Sequence, residues 1–407
     1  MASRVLVFAL WAVLGMGPTA CGQGDSHTEG VEALRTVVGD TTVVRTLGGG
    51  LWGDSVRLVE EVAIGALEGA EEYLFGRIGD LAVDADGGIY VFDGHVPALR
   101  YYNANGVYLR TLGGRGEGPG EYRDASLGIA VRRSDGRVVM RDPRNMRLNV
   151  YNHDGSPSES WRVESGLFTQ QATALDDSDN MYLKILSGPP EPNQPWPVAL
   201  LHMDNRGQVM DTIVPPALPN EPRGVSPFSK IWTVSRSGGL LVGVNDRYVI
   251  HHYRPDGTVL RIVRDIEPVA YAPEEKAERE ERQAWMMRTR GEFRTSELPP
   301  VPNVKPFFSS ILVGEDGRIW VRRHWQAEKG ETVQSPAQPG REPPPPTSWR
   351  EPVVYDVFEA DGSFLGSVRL PPRVSVSVFR GDHVWGVRRG EFDESYVVRL
   401  RLVYDSL

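Results

Sequence analysis

Cysteine is almost absent from this sequence, since Cys21 is the only one in 407 residues. A single thiol cannot form a disulfide within the chain, and zinc sites built from several cysteines are excluded as well. Because Cys21 lies close to the N-terminus, the folded part has no cysteine nucleophile. The sequence also lacks an HExxH zinc motif and a GxSxG nucleophile elbow.

Basic residues are outnumbered by acidic residues in this sequence. The chain has 45 Lys and Arg against 54 Asp and Glu, a formal net charge of -9, and its basic residues are scattered. Proteins that bind nucleic acid present clustered basic residues to the phosphates, so we do not expect nucleic acid as a partner. The shares of 40% hydrophobic and 24% charged residues are ordinary for a soluble globular protein.

Only one long apolar run is present, and it lies at the N-terminus. Arg4 precedes the run Val5–Gly17, and small residues then lead to Cys21. This arrangement is typical of a secretory signal peptide and is too short for a mature membrane span. We therefore predict that residues 1–21 are a signal peptide and that the protein is exported.

A cysteine directly after a signal peptide resembles the lipobox of bacterial lipoproteins. Thr19 and Ala20 fit that motif, whereas Pro18 occupies a position where a Leu-like residue is usual. The resemblance implies that Cys21 is lipidated and anchors the protein in the bacterial cell envelope, at the outer membrane or a periplasmic face. Ordinary cleavage near this position is the alternative.

A repeat of 49 residues organises the rest of the chain. Three turn or strand-end residues recur at this spacing: Gly87 and Gly136, Gly106 and Gly155, Asp93 and Asp142. Each copy has four short stretches of alternating apolar residues separated by Asp-Gly or Asn-Gly, which predicts four antiparallel strands, A to D, joined by two-residue turns. Weaker copies of the A-B turn at 179–180, 238–239, 316–317 and 381–382 bring the number of units to six.

The sixth unit ends after its third strand, at 395–403, and the segment 55–65 can supply the missing fourth strand. We therefore predict an all-β fold over residues 55–407: a six-bladed β-propeller of four-stranded antiparallel blades, with the ring closed by an N-terminal strand. Closure removes the exposed edges that an open array would present. Residues 22–54 are assigned to a linker with room for an extra hairpin.

The stretches "DLAVDADGGIYVFD" and "LRYYNANGVYLRTLGGRGEGPGEY" resemble the NHL-type repeats of six-bladed β-propellers, and in particular bacterial envelope lipoproteins of that type. The resemblance implies the fold. It implies little about function, because propellers host binding, scaffolding and catalysis alike.

The glycine-rich run "LGGRGEGPGEYRD" at 112–124 could be mistaken for a phosphate-binding loop. It lacks the Lys-Ser/Thr of a P-loop and the GxGxxG spacing, and a strand follows it where a helix would be needed. The pair Glu121-Tyr122 also repeats Glu72-Tyr73 at the spacing of 49. We therefore predict a connector between blades one and two.

Three insertions fall in B-C or D-A loops, which meet at one end of a propeller: 187–197, 268–306 and 325–352. Repeat proteins often carry insertions on their binding face, so we predict binding at this end. The alternative is that the insertions only cap the ring. The second insertion predicts a charged helix of about 17 residues, with Trp285 and Met286 facing the ring.

Polar and aromatic residues near the ends of the B strands and in the insertions are the candidate ligand-binding set. Carboxylates on units one and two, with arginines on units five and six, would suit an anionic or zwitterionic ligand. For the aspartates at 93 and 142 we favour a structural role, holding the B-C loop through backbone N–H groups. The candidates are Asp93, His95, Asp142, Arg144, Lys184, Asn245, Asp246, Trp285, Arg323, His324, Trp325 and Arg388.

The resulting functional hypothesis is a monomeric binder of a small ligand, a peptide or an envelope protein, without a cofactor. The alternative is a hydrolase, lactonase or lyase that uses the central channel, and calcium is expected only in that case. The resemblance implies this alternative because such enzymes occur among six-bladed relatives. No catalytic residue can be assigned in this chain.

Overall fold

Short alternating strands and glycine-containing turns build six antiparallel four-stranded sheets arranged as a six-bladed β-propeller, as predicted. The computed structural model describes residues 33–53, 56–123, 128–163, 173–189, 191, 194, 196–289, 297–335, 340 and 342–404. The signal peptide and the lipidation predicted at Cys21 lie outside these residues. No helix within the described residues has the length and apolar character that a membrane span requires.

The first three blades follow one another along the chain. The N-terminal segment forms β1 (Ala33–Val38), β2 (Thr41–Thr46) and β3 (Val56–Ile64). Blade one consists of β4 (Ile78–Val83), β5 (Ile89–Asp93), β6 (Ala98–Tyr102) and β7 (Tyr108–Leu112), and the connector after it contains β8 (Gly114–Arg115) and β9 (Glu121–Tyr122). Blade two consists of β10 (Ile129–Val131), β11 (Val138–Asp142), β12 (Arg147–Tyr151) and β13 (Pro157–Arg162). Blade three consists of β14 (Ala174–Leu175), β15 (Met181–Leu186), β16 (Val198–Met203) and β17 (Val209–Ile213).

The last three blades carry the helix and an additional hairpin. Blade four consists of β18 (Lys230–Val234), β19 (Leu240–Val244), β20 (Val249–Tyr253) and β21 (Val259–Arg264), and it is followed by α1 (Pro273–Thr289). Blade five consists of β22 (Phe308–Val313) and β23 (Ile319–Arg323), then the hairpin β24 (Glu328–Val333) and β25 (Thr347–Arg350), then β26 (Val354–Phe358) and β27 (Phe364–Arg369). Blade six consists of β28 (Val374–Arg380), β29 (His383–Arg389) and β30 (Ser395–Tyr404), with β3 as its outer strand.

The A-B turn of blade one is one residue longer than predicted. The Asp84 N–H donates to the Gly88 carbonyl and the Gly87 N–H donates to the Asp84 carbonyl, which encloses residues 85–87. Gly87 has the positive φ of 82° that such a loop requires. The Asp84 carboxylate also accepts the Asp86 N–H at 3.0 Å and the Gly88 N–H at 2.7 Å. The two-residue turn was the wrong prediction here, because the Asp84 side chain stabilises a longer turn closed by a bulge.

The ring closes through its N-terminal strand, as predicted. Strand β3 pairs antiparallel with β30, from Val56 opposite Tyr404 to Ile64 opposite Val397. The hydrophobic clusters lie between neighbouring blades, so that Phe92 of blade one packs with residues of blade two. Each blade therefore depends on its neighbour for burial of its apolar faces.

The described part of the N-terminal segment extends along the outside of the ring. Strand β2 pairs in parallel with β21, so that β1 and β2 enlarge blade four to six strands. Farther on, the Trp52 N–H donates to the Leu365 carbonyl of blade five at 2.7 Å. The Trp52 ring then lies 5.4 Å from the Tyr404 ring of blade six. The segment thus joins the outer edges of three blades.

The glycine-rich run connects blades one and two, as the repeat predicted. Gly113 has a φ of 62°, and a Cβ atom there would lie 2.3 Å from the Gly120 carbonyl oxygen. The buried Tyr122 hydroxyl accepts the Leu99 N–H at 2.8 Å and donates to the Leu112 carbonyl at 3.0 Å. The glycines therefore allow the connector to pack closely against the blades.

Candidate functional site

The two ends of the ring carry different connections. The A-B and C-D turns lie at one end, here called the turn end, and the B-C and D-A connections lie at the other, here called the insert-bearing end. The long segments between β15 and β16, between β21 and β22, and between β23 and β26 all belong to the insert-bearing end. A fourth long connection at this end, 214–229, was not predicted from the sequence, although its prolines could have indicated an extended loop.

Helix α1 lies against the hairpin of blade five. The Glu278 carboxylate accepts the Ser348 N–H at 2.7 Å and the Ser348 hydroxyl at 2.8 Å. Trp285 is half-buried, and its indole N–H donates to the Glu342 carbonyl at 3.3 Å. Met286 is exposed, so the prediction that it faces the ring was wrong. Consecutive helical residues differ in direction by about 100°, so the two side chains cannot share one face.

A buried ionic cluster holds the base of α1 to blade five. The Lys305 ammonium is completely buried and lies 2.8 Å from Glu275 Oε1 and 3.2 Å from Glu351 Oε2. It also donates to the Trp325 carbonyl at 2.9 Å, and His324 Nδ1 lies 2.9 Å from Glu351 Oε1. We call these five residues the Lys305 cluster. They make α1 a fixed part of the ring, because separating them would leave charges buried without partners.

The electrostatics of the Lys305 cluster favour an ionised Glu351. Burial alone raises the pKa of this carboxyl, but the hydrogen bond and charge of His324 and the nearby Lys305 ammonium outweigh that effect. The pKa of Glu351 therefore lies below its ordinary value of 4.5. Three members of the cluster, Glu275, Lys305 and Glu351, were not identified from the sequence, which contains no motif linking positions so far apart.

Asp93 has the contacts of a loop-fixing residue. It is completely buried, and its carboxylate accepts the N–H groups of Gly76 and Arg77 at 3.1 Å and of His95 at 2.9 Å. The Arg100 guanidinium lies 3.6 Å from the same carboxylate. Asp93 therefore holds the D-A connector and the B-C loop of blade one together.

Two other candidates at the ends of B strands are also enclosed. Asp142 accepts the Asn145 side-chain amide at 2.7 Å within its own loop. Asn245 accepts the Ser229 N–H at 2.8 Å and donates to the Phe308 carbonyl at 2.9 Å. Asp142 is thus engaged within its own loop, and Asn245 joins the connection before blade four to the first strand of blade five.

The remaining candidates lie at separate places along the rim. His95 and Arg144 are exposed, Asp246 accepts the Asn220 amide at 2.7 Å, and Arg388 lies 3.0 Å from Glu60. Of the predicted candidates, those of blade five lie close together. The Arg323 guanidinium stacks 4.2 Å from the Trp325 ring, and His324 belongs to the Lys305 cluster.

The axis of the ring is a cavity of about 550 Å³ lined by the inner strands of all six blades. Each inner strand lies at the edge of its sheet, so backbone N–H and C=O groups face this channel. Lys184 also lines it, with its ammonium 4.4 Å from the Trp232 ring and donating to the Trp232 carbonyl at 3.0 Å. Burial lowers the pKa of Lys184 to about 8. The channel is therefore suited to polar, hydrogen-bonding molecules.

A groove of about 670 Å³ lies at the insert-bearing end, between the B-C loop of blade three, the connector 214–229 and the chain after α1. Its aromatic lining consists of Trp196, Phe228 and Trp232, and prolines from all three segments complete the wall. Lys230, paired with Glu221 at 2.6 Å, supplies charge. Lys230 and Trp232 line the channel too, so the groove adjoins the channel mouth.

Large apolar side chains are exposed in the B-C loops of five blades. Isolated exposed apolar residues are normal on protein surfaces, but a set that shares one end of a molecule indicates a contact surface. The set consists of Val96, Met146, Trp196, Trp325 and Phe392.

Within the described parts of the chain, no three His, Cys, Asp or Glu side chains are grouped closely enough to hold a metal ion. The candidate site consists of the polar channel, the aromatic groove beside its mouth, and a rim with exposed apolar residues in its B-C loops.

Comparisons with known proteins agree with this fold. None of the curated proteins compared matches the sequence. Among solved structures, a DUF4221 family member from Bacteroides vulgatus is similar with a TM-score of 0.53 and 11% identity, covering 86% of this chain and 99% of the other. A Bacteroides fragilis protein provisionally described as exported has a TM-score of 0.48 at 11% identity, covering 89% and 99%.

A virginiamycin B lyase from Staphylococcus aureus is also similar, with a TM-score of 0.38 and 12% identity, covering 86% of this chain and 100% of the other. The family model described as DUF5128, a 6-bladed beta-propeller, matches residues 56–219. The chain is thus a six-bladed β-propeller in which residues 56–219 are similar in sequence to the DUF5128 propellers.

Proposed function

We propose that this protein is an exported propeller, anchored in the bacterial envelope by a lipid on Cys21, that binds a peptide or protein partner at its insert-bearing end as a monomer. The N-terminal sequence supports export and anchoring, because a short apolar run leads directly to the only cysteine. The groove beside the channel supports the location of the binding site.

The exposure of Trp196 within the groove is the main support for this proposal. Trp196 is 66% exposed although it lines a groove that also contains Phe228 and Trp232. Leaving an indole in water forgoes the free energy of burial, and concave surfaces with aromatic residues are where binding energy concentrates in protein interfaces. An extended peptide or a protruding loop would cover this ring.

The surroundings of the groove favour a preformed site. Pro299, in the groove wall, belongs to the same insertion as α1, and the Lys305 cluster holds that insertion to blade five. A wall that is already ordered loses little conformational entropy on binding. The Lys230–Glu221 pair at the edge of the groove can orient a polar partner group.

Substitution of Trp196 by Ala is expected to weaken partner binding by about 30-fold, the effect of losing one aromatic anchor worth roughly 2 kcal/mol. The partner is captured from envelope extract on the immobilised full-length protein and purified, and its Kd is then measured by calorimetry. Met210→Ala is the matched control, because Met210 is 61% exposed but lies on the outer strand β17. Equal affinities for the wild type and Trp196→Ala would move the binding site away from the groove.

A further inference from the structure

The charges at the turn end of the channel alternate from blade to blade. They lie where each inner strand passes into its A-B turn, two residues beyond the strand in blades one to five and at its last residue in blade six. In blade order these residues are Ala85, Arg133, Asp177, Arg236, Glu315 and Arg380. Arginine occupies the even-numbered blades, a carboxylate occupies blades three and five, and alanine occupies blade one. We call these six residues the turn-end ring.

Ion pairs connect adjacent members of the turn-end ring. Asp177 Oδ1 lies 3.3 Å from Arg133 Nη1 and 3.2 Å from Arg236 Nε, so one carboxylate joins blades two, three and four. Glu315 Oε2 accepts Arg380 Nε at 2.6 Å and joins blades five and six. The alternation of charge therefore corresponds to contacts around the channel.

One contact crosses the channel. Arg133 Nη2 donates to the Glu315 backbone carbonyl, and blades two and five lie opposite each other in a ring of six. The blade-one member of the ring is Ala85, and Arg380 donates there to the backbone carbonyls of Val83 at 3.0 Å and Asp84 at 2.7 Å. Arg236 and Glu315 also line the channel cavity. The turn-end ring thus forms the floor of the channel.

We propose that the turn-end ring is a salt-sensitive gate that closes the channel at the turn end, so that the channel is a cup open toward the insert-bearing end. Arg133 and Asp177, which meet at the floor, are 46% and 60% exposed. Ion pairs this exposed are weak and are screened by salt. The Lys305–Glu275 pair is buried, with side-chain exposures of 0% and 3%, and does not share this sensitivity. Raising the ionic strength therefore opens the floor and leaves the insertions in place.

Two thiol reporters test the gate. Ser377 and Ser309 are both exposed to the channel, and Ser377 lies three residues before Arg380 whereas Ser309 lies near the start of its inner strand, toward the insert-bearing end. In a full-length Cys21→Ser background, Ser377→Cys and Ser309→Cys are each labelled with a bulky dye maleimide. The labelling rate is measured at about 0.01 M and about 1 M NaCl, over which the Debye length falls from roughly 30 Å to 3 Å.

Arg133→Ala is expected to raise the labelling rate of the thiol at 377 by about fivefold and to leave that at 309 unchanged, and high salt is expected to do the same with Arg133 present. Arg137→Ala is the matched control, because Arg137 lies in the same turn but pairs outward with Glu159 at 2.9 Å. Unchanged labelling at 377, or equal acceleration at both positions, would overturn the gate. If Arg133→Ala does not fold, the salt dependence of the two reporters decides the question.

Discussion

Deletion of residues 33–64 is expected to leave a chain that aggregates or stays unfolded. Blade six loses the nine-residue strand β3, and the buried apolar residues of β30, among them Val398 and Leu400, gain an unpaired edge. Blade four loses the hairpin of β1 and β2, and blade five loses its contact with Trp52. The loss is comparable with the total stability of a typical domain, about 5–15 kcal/mol. Size-exclusion chromatography and circular dichroism measure the outcome.

A circularly permuted chain tests whether unfolding of the deletion variant comes from the loss of the β3–β30 pairing or from the shortening of the chain. Val56 lies opposite Tyr404, so a short glycine-rich turn can join residue 404 to 56 in a chain that runs 65–404 and then 56–64. We expect this chain to fold as a soluble monomer, because it restores blade six with a different covalent connection. A truncated chain that folds without β3 would argue against closure of the ring by this strand.

Lys305→Met is expected to lower the free energy of unfolding by about 3–5 kcal/mol, because it leaves Glu275 and Glu351 buried without their cation. Urea denaturation measures the loss, and hydrogen exchange in α1 shows whether the helix detaches. The matched control is the triple variant Lys305→Met, Glu275→Gln, Glu351→Gln, which removes all three charges and is expected to recover most of the stability. A Lys305→Met protein as stable as the wild type would show that α1 is held in another way.

The same cluster predicts that stability depends less on acid pH in Lys305→Met than in the wild type. In the wild type the pKa of Glu351 is lowered, so its contribution is complete above the ordinary value of 4.5 and is lost as the pH falls through the folded-state pKa. In Lys305→Met one of the groups that lower the pKa of Glu351 is missing, while the His324 side chain and the Trp325 N–H remain, so the loss of stability at acid pH is expected to be smaller than in the wild type. Urea denaturation over a range of pH compares the two proteins.

Local repetition made the fold predictable. Asp-Gly and Asn-Gly turns separated by alternating apolar residues recur at one spacing, and each signal needs only a few neighbouring residues to be recognised. The parallel pairing of β2 with β21 could not be predicted in this way, because it joins Thr41 to Val259 and depends on which blade edge is available. The length of the turns was also missed, since it is set by hydrogen bonds to the Asp84 side chain.

The site was less predictable than the fold. Conspicuous charges at strand ends, such as Asp93, fix their own loops through backbone N–H groups that the sequence does not display. The Lys305 cluster joins four separate stretches of the chain, and no local pattern identifies it. Trp196 could be placed at the insert-bearing end, but only the structure distinguishes an exposed groove residue from a half-buried one such as Trp285. The turn-end ring is visible in the sequence once the six turns are aligned.

Photo-cross-linking in the native envelope tests the proposed binding face most directly. A benzophenone amino acid is placed at Trp196 and Phe392, which are exposed at the insert-bearing end, and at Asn105 and Asp154, which are exposed at C-D turns of the turn end. We expect one common partner adduct from positions 196 and 392 and none from 105 and 154. A partner adduct formed from the turn positions alone, or equally from both ends, would contradict the proposed binding face.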